Sequence, residues 1–168
     1  MHCYFIDRIE TPIGTMVMVA RDGAVLLLEF GDAKERVARE MRARFGDVEL
    51  QQSENPFGLS DVIRDYFAGN LHAIDTLITD GGGSAFERDV WKELRKIPVG
   101  TTASYGDIAK ILGDVGLSRA VGVANARNPV AIVVPCHRVI GSDGTMTGYG
   151  GGLYRKEWLL RHEGALLI

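Results

Sequence analysis

The chain has little cysteine and no long apolar run, and both shortages narrow what it can be. Two cysteines, Cys3 and Cys136, in 168 residues are too few for a disulfide framework and too far apart for a local zinc site. The longest apolar stretches, Ala24 to Leu28 and Val130 to Val134, are strand-sized, far short of the roughly 18 residues that cross a membrane. The opening Met1-His2-Cys3-Tyr4-Phe5-Ile6-Asp7-Arg8 has no basic segment leading into an apolar one, so no secretory signal is expected. Repeats and low-complexity tracts are absent. The expectation is a cytoplasmic protein in a reducing compartment, with no membrane association.

What is present is ordinary for a globular chain. Hydrophobic residues make up 46% and charged residues 24%, which excludes disordered, collagen-like and coiled-coil classes and allows a real core. A net charge of -3 weighs against a nucleic-acid partner at face value. Its distribution says otherwise. Residues 1–83 carry 8 Lys and Arg against 14 Asp and Glu, or -6, whereas residues 84–168 carry 11 against 8, or +3. The sign changes at Asp80-Gly81-Gly82-Gly83-Ser84, where three glycines interrupt the patterning. Two domains are therefore expected, 1–80 and 84–168.

The first domain reads as an α/β scaffold. Tyr4-Phe5-Ile6 and Met16-Val17-Met18-Val19 are strand-like, and Asp22-Gly23 between Met16–Ala20 and Val25–Phe30 is a hairpin signal. Asp32 to Phe45 is helical, with Val37, Met41 and Phe45 on one face, and Leu59 to Phe67 is a second helix. In the second domain Ser84 and Glu87 have capping-box spacing before Phe86, Val90, Leu94 and Ile97. Ser104 is expected to cap a helix from Tyr105 to Leu112, and Ser118 another from Arg119 to about Ala126. Two short helices around a glycine-containing turn suggest a helix-turn-helix. The fold class is α+β: a small antiparallel sheet with helices, then a mostly helical part.

Chemistry concentrates in the second domain. Ala120, Gly122, Ala124 and Ala126 leave one helix almost without side-chain bulk, able to pack tightly or to approach a sugar-phosphate chain. Arg119 in its first turn gains nothing from the helix dipole, which points to an external partner. In Val133-Val134-Pro135-Cys136-His137-Arg138-Val139-Ile140 a cysteine, a histidine and an arginine interrupt an apolar run. Such neighbours suit an activated nucleophile, while an inert buried thiol stays equally open. Adjacent residues of an extended chain point opposite ways, so Cys136 and His137 need a turn or a bridging water to communicate. Gly141-Ser142-Asp143-Gly144 reads as a hairpin turn, and Gly148 to Gly152 as a loop without phosphate-binding spacing. The last helix, Tyr154 to Glu163, is expected to turn Trp158 and Leu159 inward. Glu163 sits at its dipole-unfavourable end, either solvated or held by a cationic or imidazole partner.

The strings Phe86-Glu87-Arg88-Asp89-Val90-Trp91, Ser104-Tyr105-Gly106-Asp107-Ile108-Ala109, Ser118-Arg119-Ala120-Val121-Gly122 and Asn128-Pro129 are similar to those of the O6-alkylguanine-DNA alkyltransferase family. Most specific are Ile132 to Gly141, through Pro135-Cys136-His137-Arg138, and Lys156-Glu157-Trp158-Leu159-Leu160-Arg161-His162-Glu163-Gly164. The chain resembles the bacterial Ogt type, densely from Ser84 to Gly164 and loosely before, where Thr11-Pro12-Ile13-Gly14 is the best echo. The resemblance implies a winged helix-turn-helix-like alkyltransferase domain and a single-turnover DNA-repair enzyme. Cys136 would take the alkyl group of O6-alkylguanine, with O4-alkylthymine a second substrate, and would be consumed. His137 would remove the thiol proton through a water, Glu163 would orient His137, and Asn128 would brace the turn between recognition helix and active-site strand. The helix-turn-helix would lie in the minor groove, with Ala120 and Gly122 allowing close approach and Arg119 filling the stack left by a flipped nucleotide. Tyr105 would donate to N3 of the flipped base. The carbonyls of Cys136 and Val139 would read its exocyclic amine, and Tyr149 with the Gly150 N–H would close over O6. Arg127 and Ser142 would contact phosphates. No cofactor and no metal are implied, and the protein would be a monomer, with cooperative assembly on DNA left open.

The chain departs from that family at Val115, where proline is usual, and at Leu117 and Ser118, where smaller residues precede the arginine. Only His2, Cys3 and the distant His72 could serve the N-terminal zinc site of some members, so none is expected. A non-catalytic, lesion-recognising alkyltransferase-like protein is the alternative; it usually has tryptophan in place of Cys136. A helix-turn-helix regulator would need polar base-reading side chains that 120–126 lacks, and a cysteine hydrolase would need a substrate pocket.

Overall fold

A computed structural model describes residues 3–31 and 33–166. His2, and the expected helix start at Asp32, lie outside the described residues. The chain divides into two compact units, Met1–Gly82 and Gly83–Ile168.

Unit one is built on a meander. Strands β1 (Tyr4–Thr11), β2 (Gly14–Arg21) and β3 (Ala24–Phe30) pair antiparallel in sequence order. Asp22 and Gly23 both take positive φ, 50° and 80°, the conformation that a two-residue turn needs to match strand twist. Two short strands, β4 (Leu50–Gln52) beside β1 and β5 (Ile78–Thr79) beside β3, complete the order β4-β1-β2-β3-β5. Both edge pairings are parallel, so the antiparallel sheet expected from sequence is the centre of a mixed one. Helix α1 (Lys34–Phe45) lays Val37 and Met41 against Ile6, Val17, Val19 and Leu27. Helix α2 (Leu59–Phe67) reaches the opposite face through the buried Ser60, whose hydroxyl donates to Asp7 Oδ2 at 2.6 Å. Coverage of both faces explains why all of Met16–Ala20 is buried, with no alternation.

Unit two opens with α3 (Ala85–Leu94), and both halves of its capping box form: Glu87 N–H to Ser84 Oγ at 3.1 Å and Ser84 N–H to Glu87 Oε1 at 2.9 Å. Gly83, at φ +86°, is pressed so closely on the Trp91 ring that a Cβ would lie 2.6 Å from it. That indole donates to the Ala124 carbonyl at 2.9 Å, locking α3 to α5 (Ser118–Ala126). Helix α4 (Tyr105–Ile111) has a second capping box, Ser104 with Asp107. Just before it, β6 (Ala103–Ser104) pairs with β7 (Val139–Ile140), and the chain closes with α6 (Leu153–His162).

Four expectations need correction. Ser118 is not an N-cap. A 3-10 turn over Val115–Leu117, capped by Asp114 on the Gly116 N–H, runs straight into α5, so Ser118 is already helical and donates back to the Val115 carbonyl. Residues 130–134 form turns rather than a strand, with Ile132 at φ 74°. The turn at 141–144 closes no hairpin, because β7 spends its pairing on a parallel partner; Asp143 holds the turn through the Thr145 N–H and hydroxyl. Trp158 is only half-buried, stacked on His162 at 4.7 Å, and Lys156 takes the inward position with Leu159.

Asp7 also accepts from the Asn55 N–H at 3.0 Å, so Asp7→Ala leaves a fully buried Ser60 hydroxyl and a backbone donor unpaired. A loss of about 1–3 kcal/mol is expected in urea denaturation. In an Asp7→Ala background, Ser60→Ala should then cost nothing further; additive losses would show that the two groups are not coupled.

Candidate active site

The segment following α5 places the thiol. Asn128 brackets it, donating from Nδ2 to the Val134 carbonyl at 2.7 Å and accepting from the Val130 N–H at 3.0 Å. Beyond Pro135, Cys136–Arg138 form a 3-10 turn, which removes the extended-chain geometry that would have pointed Cys136 and His137 apart. All three side chains are buried. Burial pushes the Cys136 thiol above its ordinary 9.0, opposed by hydrogen bonding from Asn128 and then by the positive charge of Lys156. The resting sulfur is therefore a protonated thiol that needs a base.

His137, next in the same turn, is bonded to a carboxylate. Its Nε2 lies 2.9 Å from Glu163 Oε2. Glu163 is ionised: burial works to raise its pKa, but hydrogen bonds from His137 and Arg138 and their charges outweigh burial and hold it far below 4.5. A carboxylate only accepts, so Nε2 carries the hydrogen, which leaves Nδ1 as the basic nitrogen of a neutral ring. Nδ1 is buried and has no hydrogen-bond partner among the described residues. Burial also lowers the His137 pKa below 6.5, with Glu163 opposing.

Arg138 completes the arrangement. It grips Glu163 with Nε to Oε1 at 2.8 Å and Nη2 to Oε2 at 2.9 Å, and its Nη1 donates to the Ile97 carbonyl at 2.8 Å. This planar two-bond contact is one that lysine could not reproduce. A second buried cation, Lys156, donates from Nζ to the carbonyls of Val139 at 2.6 Å and Thr147 at 3.1 Å. No carboxylate among the described residues pairs with it. Burial lowers its pKa, and the Cys136 charge works against that shift.

The other expected residues fall into two sets. Tyr105, first in α4, hydrogen-bonds Thr147 Oγ1 through its hydroxyl at 2.8 Å, and its ring packs at Gly122. The Tyr149 hydroxyl is buried with no hydrogen-bond partner among the described residues and held well above 10 by burial and then by the Cys136 charge, so it stays neutral. Gly150 is exposed beside it. The Val139 carbonyl accepts from Lys156, and the Cys136 carbonyl accepts from the Val139 N–H and from Asn125 Nδ2 at 3.4 Å. The second set lies outside. Arg119 and Ala120 are exposed on α5, and Arg119 makes no hydrogen bond or ion pair among the described residues. Arg127 lies 3.9 Å from Glu87, and Ser142 is on an exposed turn.

Glu163 is thus partnered rather than solvated. Sequence reasoning gave no role to Lys156, Thr147 and Asn125, and noted Arg138 only as a cation beside the thiol, not as the partner of Glu163. A signal for one of them exists: Lys156 shares a helical stripe with Leu159, Leu160 and Glu163 at i, i+3, i+4 and i+7, so its charge had to enter the core with the leucines. Among the described residues, no cluster of three metal-ligating side chains occurs. No helix is long and apolar enough to cross a membrane.

A helix-turn-helix unit carrying a buried thiol beside a carboxylate-oriented histidine defines a DNA-binding-domain protein with a nucleophile. Residues 85–165 match the family model of the 6-O-methylguanine DNA methyltransferase DNA-binding domain. The chain is 51% identical to the methylated-DNA--protein-cysteine methyltransferase of Shigella flexneri, over 96% of both chains. Against the crystal structure of the Mycobacterium tuberculosis O6-methylguanine methyltransferase the TM-score is 0.80 at 38% identity, covering 98% of this chain and 94% of that one. A second structure of the mycobacterial protein, in complex with DNA, gives 0.79 at 38% identity over 96% and 92%. The chain belongs to the methylated-DNA--protein-cysteine methyltransferase family.

Glu163→Gln should leave Arg138 buried without a counter-charge, at a cost of about 3–5 kcal/mol in urea denaturation; a loss no larger than a surface substitution gives would refute that role. The folded state keeps His137 neutral and Glu163 ionised below their ordinary 6.5 and 4.5, so the unfolded chain binds protons first on acidification. Stability should be full above about pH 6.5, fall below it through His137, and fall further below about pH 4.5 through Glu163. A flat profile across that window would contradict the protonation states assigned.

Proposed function

We propose that this chain repairs DNA by moving the alkyl group of O6-alkylguanine onto its own Cys136, once per molecule. The observation that carries the reading is the buried Cys136 in a turn shared with His137 and Arg138, both fixed by Glu163. His137 Nδ1 takes the thiol proton through a bridging water. The sulfur attacks the alkyl carbon in line with the C–O6 bond, a carbon–sulfur bond forms, and the bonding electron pair leaves with O6. The proton passes to the guanine, which departs as the normal base. Nothing regenerates the thiol from its S-alkyl form, so the protein is a stoichiometric reagent.

DNA is engaged through the second unit, with the exposed side of α5 in the minor groove. Ala120 and Ala126 are small, and Gly122 is half-buried against Tyr105. Arg119 fills the space of the extruded nucleotide, offsetting part of an unstacking cost of about a few kcal/mol. Tyr105 donates to the ring nitrogen of the flipped base, Tyr149 and Gly150 line the O6 side, and Arg127 and Ser142 meet phosphates. The first unit is the scaffold. The chain acts as a monomer in the cytoplasm. Cys136 itself weighs against a purely lesion-recognising role.

Incubation with an O6-methylguanine duplex should add one methylene, about 14 Da, to the peptide holding Cys136, saturating at about one equivalent. No gain, or the same gain in Cys136→Ser, would overturn the mechanism. Arg119→Ala should slow repair of duplex lesions far more than reaction with the free modified base; equal losses on both would remove its assignment as an extrusion residue.

A further inference from the structure

Thr147 lies in the loop between β7 and α6 and enters none of the steps above, yet it is bonded at both ends to groups that do. Its hydroxyl sits 2.8 Å from the Tyr105 hydroxyl, and its carbonyl accepts from Lys156 Nζ at 3.1 Å. The same ammonium is fixed on the Val139 carbonyl at 2.6 Å. Val139 and Ile140 pair with Ala103 and Ser104, and Ser104 caps the helix that Tyr105 begins. The contacts close a ring: Tyr105, Thr147, Lys156, Val139 and the β6–β7 pair that returns to Tyr105. One side of that ring is backbone pairing; the other depends on a single hydroxyl and a single ammonium.

We propose that Thr147 is a positioning residue for alkyl transfer, orienting and polarising the Tyr105 hydroxyl toward the flipped base. The proposal rests on the reading of Tyr105 as the donor to that base. A phenol has one hydrogen and two lone pairs. With the Thr147 hydroxyl donating to Tyr105 Oη, the phenolic hydrogen is directed away from the loop, toward an acceptor in the pocket. A hydroxyl that accepts one hydrogen bond is a stronger donor in the next, so the two bonds reinforce each other as charge builds on the departing guanine. Thr147 has no other side-chain hydrogen bond among the described residues, and its main chain is anchored by Lys156, so its hydroxyl is held in place rather than following Tyr105. Thr147 touches no reacting atom in this scheme and acts only through Tyr105.

The test is a double-mutant cycle on the full chain, read as the single-turnover rate of methyl transfer from an O6-methylguanine duplex, with affinity for the same duplex measured in parallel. Thr147→Val keeps shape and the carbonyl on Lys156 but removes the hydroxyl. It should slow transfer about tenfold, the scale of one hydrogen bond, with DNA affinity unchanged. Thr147→Ser restores the hydroxyl and should recover most of the rate. In a Tyr105→Phe background, Thr147→Val should have no further effect. If Tyr105→Phe reacts at the parent rate, the base-donor reading of Tyr105 fails and this inference falls with it. If Tyr105→Phe is slow while Thr147→Val is not, the Tyr105 reading stands and the inference alone is overturned. Equal slowing by Thr147→Val and Thr147→Ser, or losses that add to those of Tyr105→Phe, would mark Thr147 as loop packing and overturn it as well.

Discussion

Glu163 holds its carboxylate between His137 and Arg138, and most of the second unit is organised around that contact. It joins the C-terminal end of α6 to the turn that carries Cys136, and Arg138 extends the join to the Ile97 carbonyl just beyond α3. A lone carboxylate would not enter a core, because its desolvation costs several kcal/mol. It is tolerated here because a planar guanidinium cancels its charge and an imidazole N–H takes part of its remaining acceptor capacity. The same compensation fixes chemistry. Once Nε2 must donate to Glu163, the basic nitrogen of His137 can only be Nδ1. The arrangement that makes burial affordable is the one that selects the tautomer.

The charge balance around the thiol follows from this. Arg138 and Glu163 cancel, the His137 ring is neutral, and the resting thiol is neutral because burial disfavours its ionised form. Lys156 is left as a buried cation bonded, among the described residues, to carbonyls alone. The pocket is thus one negative charge short. A thiolate formed at Cys136 supplies it, and Lys156 and the thiolate each favour the other's ionised form. Burial and cation pull the thiol in opposite directions: burial keeps it protonated at rest, and the cation makes its deprotonation less costly. An alkylated sulfur can no longer carry that charge.

The elements were legible where local chemistry decides them. The Asp22-Gly23 turn, the helix stripe Val37-Met41, and the capping box at Ser84 each depend on residues within a few positions of one another. The misread elements were decided by a neighbouring side chain that competed with the expected pattern. Residues 130–134 have strand composition, but Asn128 ties both ends of the segment with its own amide and forces turns. Ser118 has the right side chain for a cap and lost the role to Asp114, four residues earlier. At the site, Cys136, His137 and Glu163 were visible from their types and from a carboxylate at the wrong end of a helix dipole. The pairing of Arg138 and the burial of Lys156 were not, because they depend on carbonyls and a carboxylate that only the tertiary fold brings near. Long charged residues are ordinarily read as solvated, and these two are exceptions.

The helix proposed to meet DNA shows how weak net charge is as an indicator of function. The second unit carries only +3, and its α5 buries Val121, Ala124 and Asn125 while exposing Arg119, Ala120, Val123, Ala126 and Arg127. That outer surface has two cations, two alanines and one valine, and no long polar side chain besides the arginines. A helix that recognised base edges in the major groove would need the opposite, long polar side chains reaching outward. A bare helix instead brings its own backbone against the sugar-phosphate chains, where contact area and one well-placed arginine do what a dense basic patch does elsewhere. Affinity built this way releases few counterions, so it depends shallowly on salt. On the proposed reading, discrimination rests with whichever base can leave the stack at least cost and fit beside Cys136, in the pocket rather than on the DNA-facing surface.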